Sequence, residues 1–222
     1  MIRAVFWDND GVLVDTEGLY FQATAELLLQ AGVALTESLF REISLRQGKS
    51  AFDLAEARGI PPDEIERLRT ARNRRYDELL RQGVRIMEGV RETLPLLHNR
   101  AVMAIVTSSH RSHFETMHEK TGLMPFFDFI LTREDYNASK PDPEPYRLAV
   151  ERSGCRPDEC LVVEDSERGL QAALAAGLRC IVIPNGLTRG CAFEKAWRVL
   201  ASCREVPEAI ERLGGMNRMD KP

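Results

Sequence analysis

Five short apolar runs punctuate the chain: Ala4-Val5-Phe6-Trp7, residues 102–106, 129–131, 161–163 and 180–183. Continuous runs of this kind, without polar alternation, suit strands covered on both faces. Segments of helical period lie between the later runs, at 111–122, 143–153 and 167–176, and this alternation predicts a parallel sheet flanked by helices. Ligands of such sheets gather at the carboxyl ends of the strands. Between about residues 17 and 85 no strand-like run occurs. Apolar residues there, from Leu19, Phe21, Leu27 and Leu28 to Ile65, Leu68, Tyr76 and Leu79, follow a helical pattern, and Gly32, Gly48, Gly59 and Pro61-Pro62 read as helix ends and starts. The pattern predicts an α/β core made of residues 1–16 and 86–222, with an all-helical cap of about four helices inserted at 17–85. An insertion hung on two connections can rock over a site.

Composition narrows the partners. The 222 residues are 44% hydrophobic and 29% charged, with a net charge of −4. That balance excludes a global basic field for nucleic acid or an anionic membrane, and no run reaches the roughly 20 apolar residues of a membrane span. The amino terminus, MIRAVFWDND, is acidic where a leader has its apolar stretch, so a cytoplasmic location is expected. The five cysteines contain no C-x-x-C pair and read as reduced thiols. Only five of the 30 basic residues are lysines (Lys49, Lys120, Lys140, Lys195, Lys221), which draws attention to any lysine inside a motif.

Four strand ends carry chemistry. The first apolar run leads into Asp8-Asn9-Asp10-Gly11, with Asp15 and Glu17 close behind; the second into Thr107-Ser108-Ser109; the fourth into Glu164-Asp165-Ser166. A stiffened loop, Ser139-Lys140-Pro141-Asp142-Pro143, follows the third. In one parallel sheet these ends converge on one crevice. Clustered carboxylates repel unless a cation joins them, and a hard divalent cation such as Mg²⁺ prefers oxygen ligands. With a lysine and hydroxyl or N–H donors beside it, such a site suits a phosphoryl group, and the available nucleophile is a carboxylate.

These motifs, D-x-D-G-V-L-V-D-T-E at 8–17, V-T-S-S at 106–109, S-K-P-D-P at 139–143 and V-V-E-D-S-x-x-G at 162–169, resemble the haloacid dehalogenase (HAD) superfamily, in particular its phosphatase and β-phosphoglucomutase-like branch. The resemblance implies a Rossmann-like, HAD-like core with a helical cap. It implies that Asp8 attacks phosphorus, that Asp10 is the general acid and base, that Thr107 and Ser108 hold phosphoryl oxygens, and that Lys140 neutralises charge. Mg²⁺ would be held by Asp8, Asp10, Glu164 and Asp165. The expected activity is hydrolysis of a small phosphorylated metabolite, sugar phosphates included, through a phospho-aspartate, by a monomer or weak homo-oligomer.

Two departures bear on that activity. The mutase has a histidine shortly after D-T, whereas this chain reads Glu17-Gly18-Leu19-Tyr20-Phe21, which favours hydrolysis over isomerisation. Around the cap glycine the chain reads Arg46-Gln47-Gly48-Lys49, so Arg46 and Lys49 are the candidate substrate contacts of the cap. Dehalogenases lack the second aspartate, which is present here as Asp10. A phosphomutase and a non-catalytic binding domain are the alternatives. Other conspicuous residues take plain readings: the arginine run at 67–75 as a solvated helix face, His110, His113 and His118 as exposed surface, and Trp7 as core.

Overall fold

The structure, a computed structural model, describes residues 1–216. Its strands are β1 (Ala4–Trp7), β2 (Val14–Asp15), β3 (Arg85–Ile86), β4 (Val102–Val106), β5 (Phe129–Leu131), β6 (Cys160–Glu164), β7 (Arg179–Val182) and β8 (Arg198–Val199). The helices are α1 (Glu17–Gln30), α2 (Glu37–Phe40, continued by a π-turn over Arg41–Arg46), α3 (Asp53–Glu56), α4 (Pro62–Arg81), α5 (Val90–Leu97), α6 (Arg111–His118), α7 (Glu144–Ser153), α8 (Glu167–Ala175) and α9 (Val206–Glu211).

Six strands form a parallel sheet in the order β5-β4-β1-β6-β7-β8, the five predicted apolar runs with β8 added at one edge. Side-chain alternation along β1 builds the two layers around it. Val5 and Trp7 face one side, where Ile105, Val163 and the buried stripes of α5 and α9 complete the core. Ala4 and Phe6 face the other, against Val106, Val162, Tyr146 and Ala149 of α7, and Ala172 and Ala173 of α8. Trp7 is fully buried, and its truncation to Ala would cost about 3–5 kcal/mol. Because β1 is central, paired with β4 on one side and β6 on the other, the segment after Trp7 emerges between Thr107 and Glu164. The strand order thus brings the acidic and hydroxyl-rich ends together.

Residues between β2 and β3 are helical, with an apolar centre of their own that includes Leu28, Phe40, Phe52 and Ile65. The antiparallel β2–β3 pairing, a separate two-stranded sheet, ties the two ends of this layer to each other. Periodicity does not foresee β2, β3 or β8, since two residues are too few to carry a period. Four of the five free cysteines are buried and the fifth is half-buried. Among the described residues no helix is long and apolar enough to cross a membrane.

The histidine reading needs correction. His113 and His118 are buried, not exposed, because positions 113, 114, 117 and 118 share the inward face of α6 with Phe114 and Met117. Arg111, Glu115 and Glu119 on the flanks gave the helix its charged appearance.

Candidate active site

Lys140 organises the floor of the site. Its Nζ donates to Asp8 Oδ1 (2.8 Å), Glu164 Oε1 (2.7 Å) and the Val106 carbonyl (2.8 Å), using all three of its protons. The side chain is only 4% exposed, so the ammonium is a fixed charge. Although burial works against its charge, Asp8 and Glu164 hold the ammonium above its ordinary range. Glu164 is held further by the Tyr146 hydroxyl at 2.7 Å and by the Ser166 hydroxyl at 3.3 Å. Space for that carboxylate comes from Gly169 in α8, where a β-carbon would lie 1.9–2.1 Å from its atoms. Gly11, at φ +81°, does the same for Asp165, whose Oδ2 would lie 2.3 Å from a β-carbon there. Both glycines of the recognised motifs are therefore required by close approach.

Asp8, Glu164 and Asp165 are buried and offer oxygens that all lie within 4.8 Å of one another. Three carboxylates against the Lys140 ammonium leave two negative charges, and burial, then the neighbouring Glu164, push the Asp8 carboxyl up to about 7. Burial and neighbouring carboxylates likewise push Asp165 well up. An all-oxygen cluster with this excess charge fits a hard divalent cation such as Mg²⁺.

Asp10 is surrounded by donors. Its Oδ2 accepts from Ser109 Oγ (2.8 Å), Thr107 Oγ1 (3.1 Å) and Asn9 Nδ2 (3.3 Å), while Oδ1 accepts from Thr16 Oγ1. Thr107 is fully buried, and its hydroxyl also accepts from the Ser109 N–H at 3.0 Å. Ser108 and Ser109 face the cavity.

A cavity of about 550 Å³ lies between the carboxyl ends of the strands and the helical layer. Asp8, Asp10, Glu17, Lys140 and Asp165 line its floor, and Lys49, Arg69, Arg72, Asn73 and Tyr76 its roof. Here the solvated reading of the arginine run needs correction for two members. Arg69 and Arg72 turn inward, with Arg72 lying 4.5 Å from the centre of the Tyr20 ring and Arg69 5.4 Å from that of Phe52. Residues 69, 72, 73 and 76 fall on one face of α4, a spacing that was available in the sequence. Arg46 does not line the cavity; its guanidinium pairs with Glu42 (3.1 Å) and Glu167 (3.6 Å). Neither Glu17 nor Asn185 is given a role by the sequence motifs. Asn185 Nδ2 bridges Glu17 Oε2 (2.8 Å) and Asp165 Oδ2 (2.6 Å), fixing a carboxyl that burial pushes up to about 8.

The chain is similar to known proteins in sequence and in fold. The chain is 33% identical over 205 residues to the phosphorylated carbohydrates phosphatase of Thermotoga maritima, covering 89% of this chain and 93% of the relative. It is 29% identical over 187 residues to the fructose-1-phosphate phosphatase YqaB of Escherichia coli, covering 80% and 94%. The crystal structure of CbbY from Rhodobacter sphaeroides in complex with phosphate superposes with a TM-score of 0.78 at 28% identity, covering 93% of this chain and 96% of that one. A family model of haloacid dehalogenase-like hydrolases matches residues 5–183, and the chain belongs to that family.

Proposed function

We propose that the chain is a Mg²⁺-dependent phosphatase of a small phosphorylated metabolite, a sugar phosphate in particular, working through a phospho-aspartate on Asp8. The observation that carries this reading is the buried cluster in which Lys140 grips Asp8 and Glu164 beside Asp165, directly under the cavity. Support also comes from the phosphatases among its relatives.

In this mechanism one oxygen of Asp8 attacks phosphorus while the ester P–O bond breaks, and Asp10 gives its proton to the leaving oxygen. Asp10 then takes a proton from water, whose oxygen displaces Asp8 and releases phosphate. Lys140, by holding Asp8 Oδ1, fixes the orientation of the nucleophile and offsets charge near the transferring group. Asp8, Glu164, Asp165 and the Asp10 backbone carbonyl would hold Mg²⁺, which supplies charge stabilisation to the phosphoryl oxygens when bound. Ser108, which faces the cavity, holds those oxygens, whereas Thr107 does not line it: its N–H donates to the Leu131 carbonyl at 2.9 Å and its hydroxyl to Asp10 Oδ2 at 3.1 Å. On the roof, Lys49, Arg69 and Arg72 supply positive charge and Asn73 and Tyr76 supply hydrogen-bonding groups, a lining suited to a polar, anionic metabolite.

Phosphate release measured across a panel of phosphorylated metabolites with Mg²⁺ tests the reading. Turnover of sugar phosphates is expected; release from none of the panel would overturn it.

A further inference from the structure

The residue between the two aspartates is itself polar, and nothing in the chemistry above uses it. Asn9 is completely buried and does not line the cavity. Its side chain points to α6, where Oδ1 lies 2.7 Å from His118 Nε2. The other end of the amide, Nδ2, faces Asp10 Oδ2 at 3.3 Å and Met117 Sδ at 3.2 Å. His118 is buried too, its ring 4.6 Å from that of Phe114, and its Nδ1 lies 3.0 Å from the Thr121 hydroxyl. Thr121 in turn accepts from the Leu123 N–H at 3.3 Å. A continuous polar line therefore runs from the end of α6 through an apolar layer to Asp10.

The line has a defined direction. Asn9 must present its carbonyl to an N–H and its N–H₂ to the carboxylate, and this requires the proton of His118 on Nε2. With Nδ1 unprotonated, that nitrogen accepts from the Thr121 hydroxyl, which closes the chain without an orphaned group. Burial favours the neutral ring such a chain needs and holds His118 down to about 4. Among the side chains touching Asp10 Oδ2, Thr107 and Ser109 are hydroxyls that can rotate to donate elsewhere. Asn9 cannot do so while His118 holds its carbonyl. If the amide turned over, a carbonyl oxygen would face the carboxylate.

We propose that Asn9 and His118 form a positioning pair that fixes the carboxylate of Asp10 for its acid and base steps. A pair of leucines would fill the same space more cheaply in desolvation, so the polar pair makes sense as an orienting device. The inference rests on the role given above to Asp10, and two measurements separate it from that role. In the first, kcat and KM for a turned-over sugar phosphate are compared in the wild type, N9L, H118L, N9L/H118L and H118Q. The expected result is a fall in kcat of about 10- to 100-fold with KM nearly unchanged, part of the 10²–10⁴ that a positioned acid–base group supplies. The double variant should be no worse than either single one, because the two residues act as a unit, and H118Q, which keeps an N–H donor, should recover part of the loss. Melting curves guard against a folding defect, since the double leucine variant keeps the core apolar and should remain as stable as the wild type. A kcat in that variant within twofold of the wild type would overturn the proposal. The second measurement needs no turnover: in ¹⁵N spectra at neutral pH the His118 ring should be the neutral Nε2–H tautomer, and a protonated ring or the Nδ1–H tautomer would overturn it equally.

Discussion

The floor and the roof of the cavity hold their charges in opposite ways. On the floor, Lys140, Asp8 and Glu164 are buried, joined at 2.7–2.8 Å, and confined by the missing side chain at Gly169. On the roof, Arg69 and Arg72 are half-exposed and rest on the ring faces of Phe52 and Tyr20, and neither is in an ion pair among the described residues. The floor's geometry is over-determined, as a reaction requires of groups that must sit within a fraction of an ångström. On the roof, Arg72 donates, among the described residues, only to uncharged groups, Asn73 Oδ1 at 2.9 Å and Thr24 Oγ1 at 3.4 Å. Under the proposed function, the difference assigns chemistry to the carboxyl ends of the strands and substrate choice to α4 and the segment around Lys49.

Lys140→Met strikes hardest at this contrast, because it strands two buried carboxylates. The expected result is loss of turnover together with about 3–5 kcal/mol of stability, read by denaturant unfolding; a variant of wild-type stability would mean that the floor is not a charge-locked unit. Removing the excess negative charge by adding Mg²⁺ should work in the other direction. At a hundred times its dissociation constant the ion should add about 3 kcal/mol, or roughly 5–10 °C in melting temperature, and Asp165→Asn should abolish that rise.

His118 lies behind the floor and gives a pH test. Its folded value of about 4 lies below the ordinary 6.5, so the unfolded chain binds more protons between these pH values. Stability from this group is fully present above pH 6.5 and is lost as pH falls toward 4, to a total of about 3 kcal/mol. His118→Leu should flatten that part of the stability profile, with no change in slope meaning that the ring is not held neutral. The smallest effect is expected from the roof: Arg72→Ala should raise KM about 5- to 10-fold and leave kcat within twofold, the signature of lost uniform binding. An equal loss in kcat would move Arg72 from the roof's role to the floor's.

The same contrast governs what the amino-acid sequence discloses. Strands covered on both faces leave continuous apolar runs, and the residues just beyond Trp7, Val106 and Val163 are then read directly as site residues. The floor was legible for that reason. Roof residues belong to a helix whose arginines at 67, 74 and 75 look the same on paper as those at 69 and 72; only the packing of α4 over Tyr20 and Phe52 sorts them. His118 was hidden by the charges flanking it on α6, and Asn9 by the two aspartates on either side. Asn185 follows β7 with no motif around it, and its role as a bridge between Glu17 and Asp165 depends on three distant segments meeting.

The central claim is that Asp8 is the nucleophile. It is tested most directly by quenching the Mg²⁺-loaded protein with acid during turnover of a sugar phosphate and mapping the phosphorylated peptide by mass spectrometry. One hydroxylamine-sensitive acyl phosphate is expected on Asp8, absent from Asp8→Asn. Sustained phosphate release with Asp8 unmodified, or with the Asn variant in its place, would contradict it.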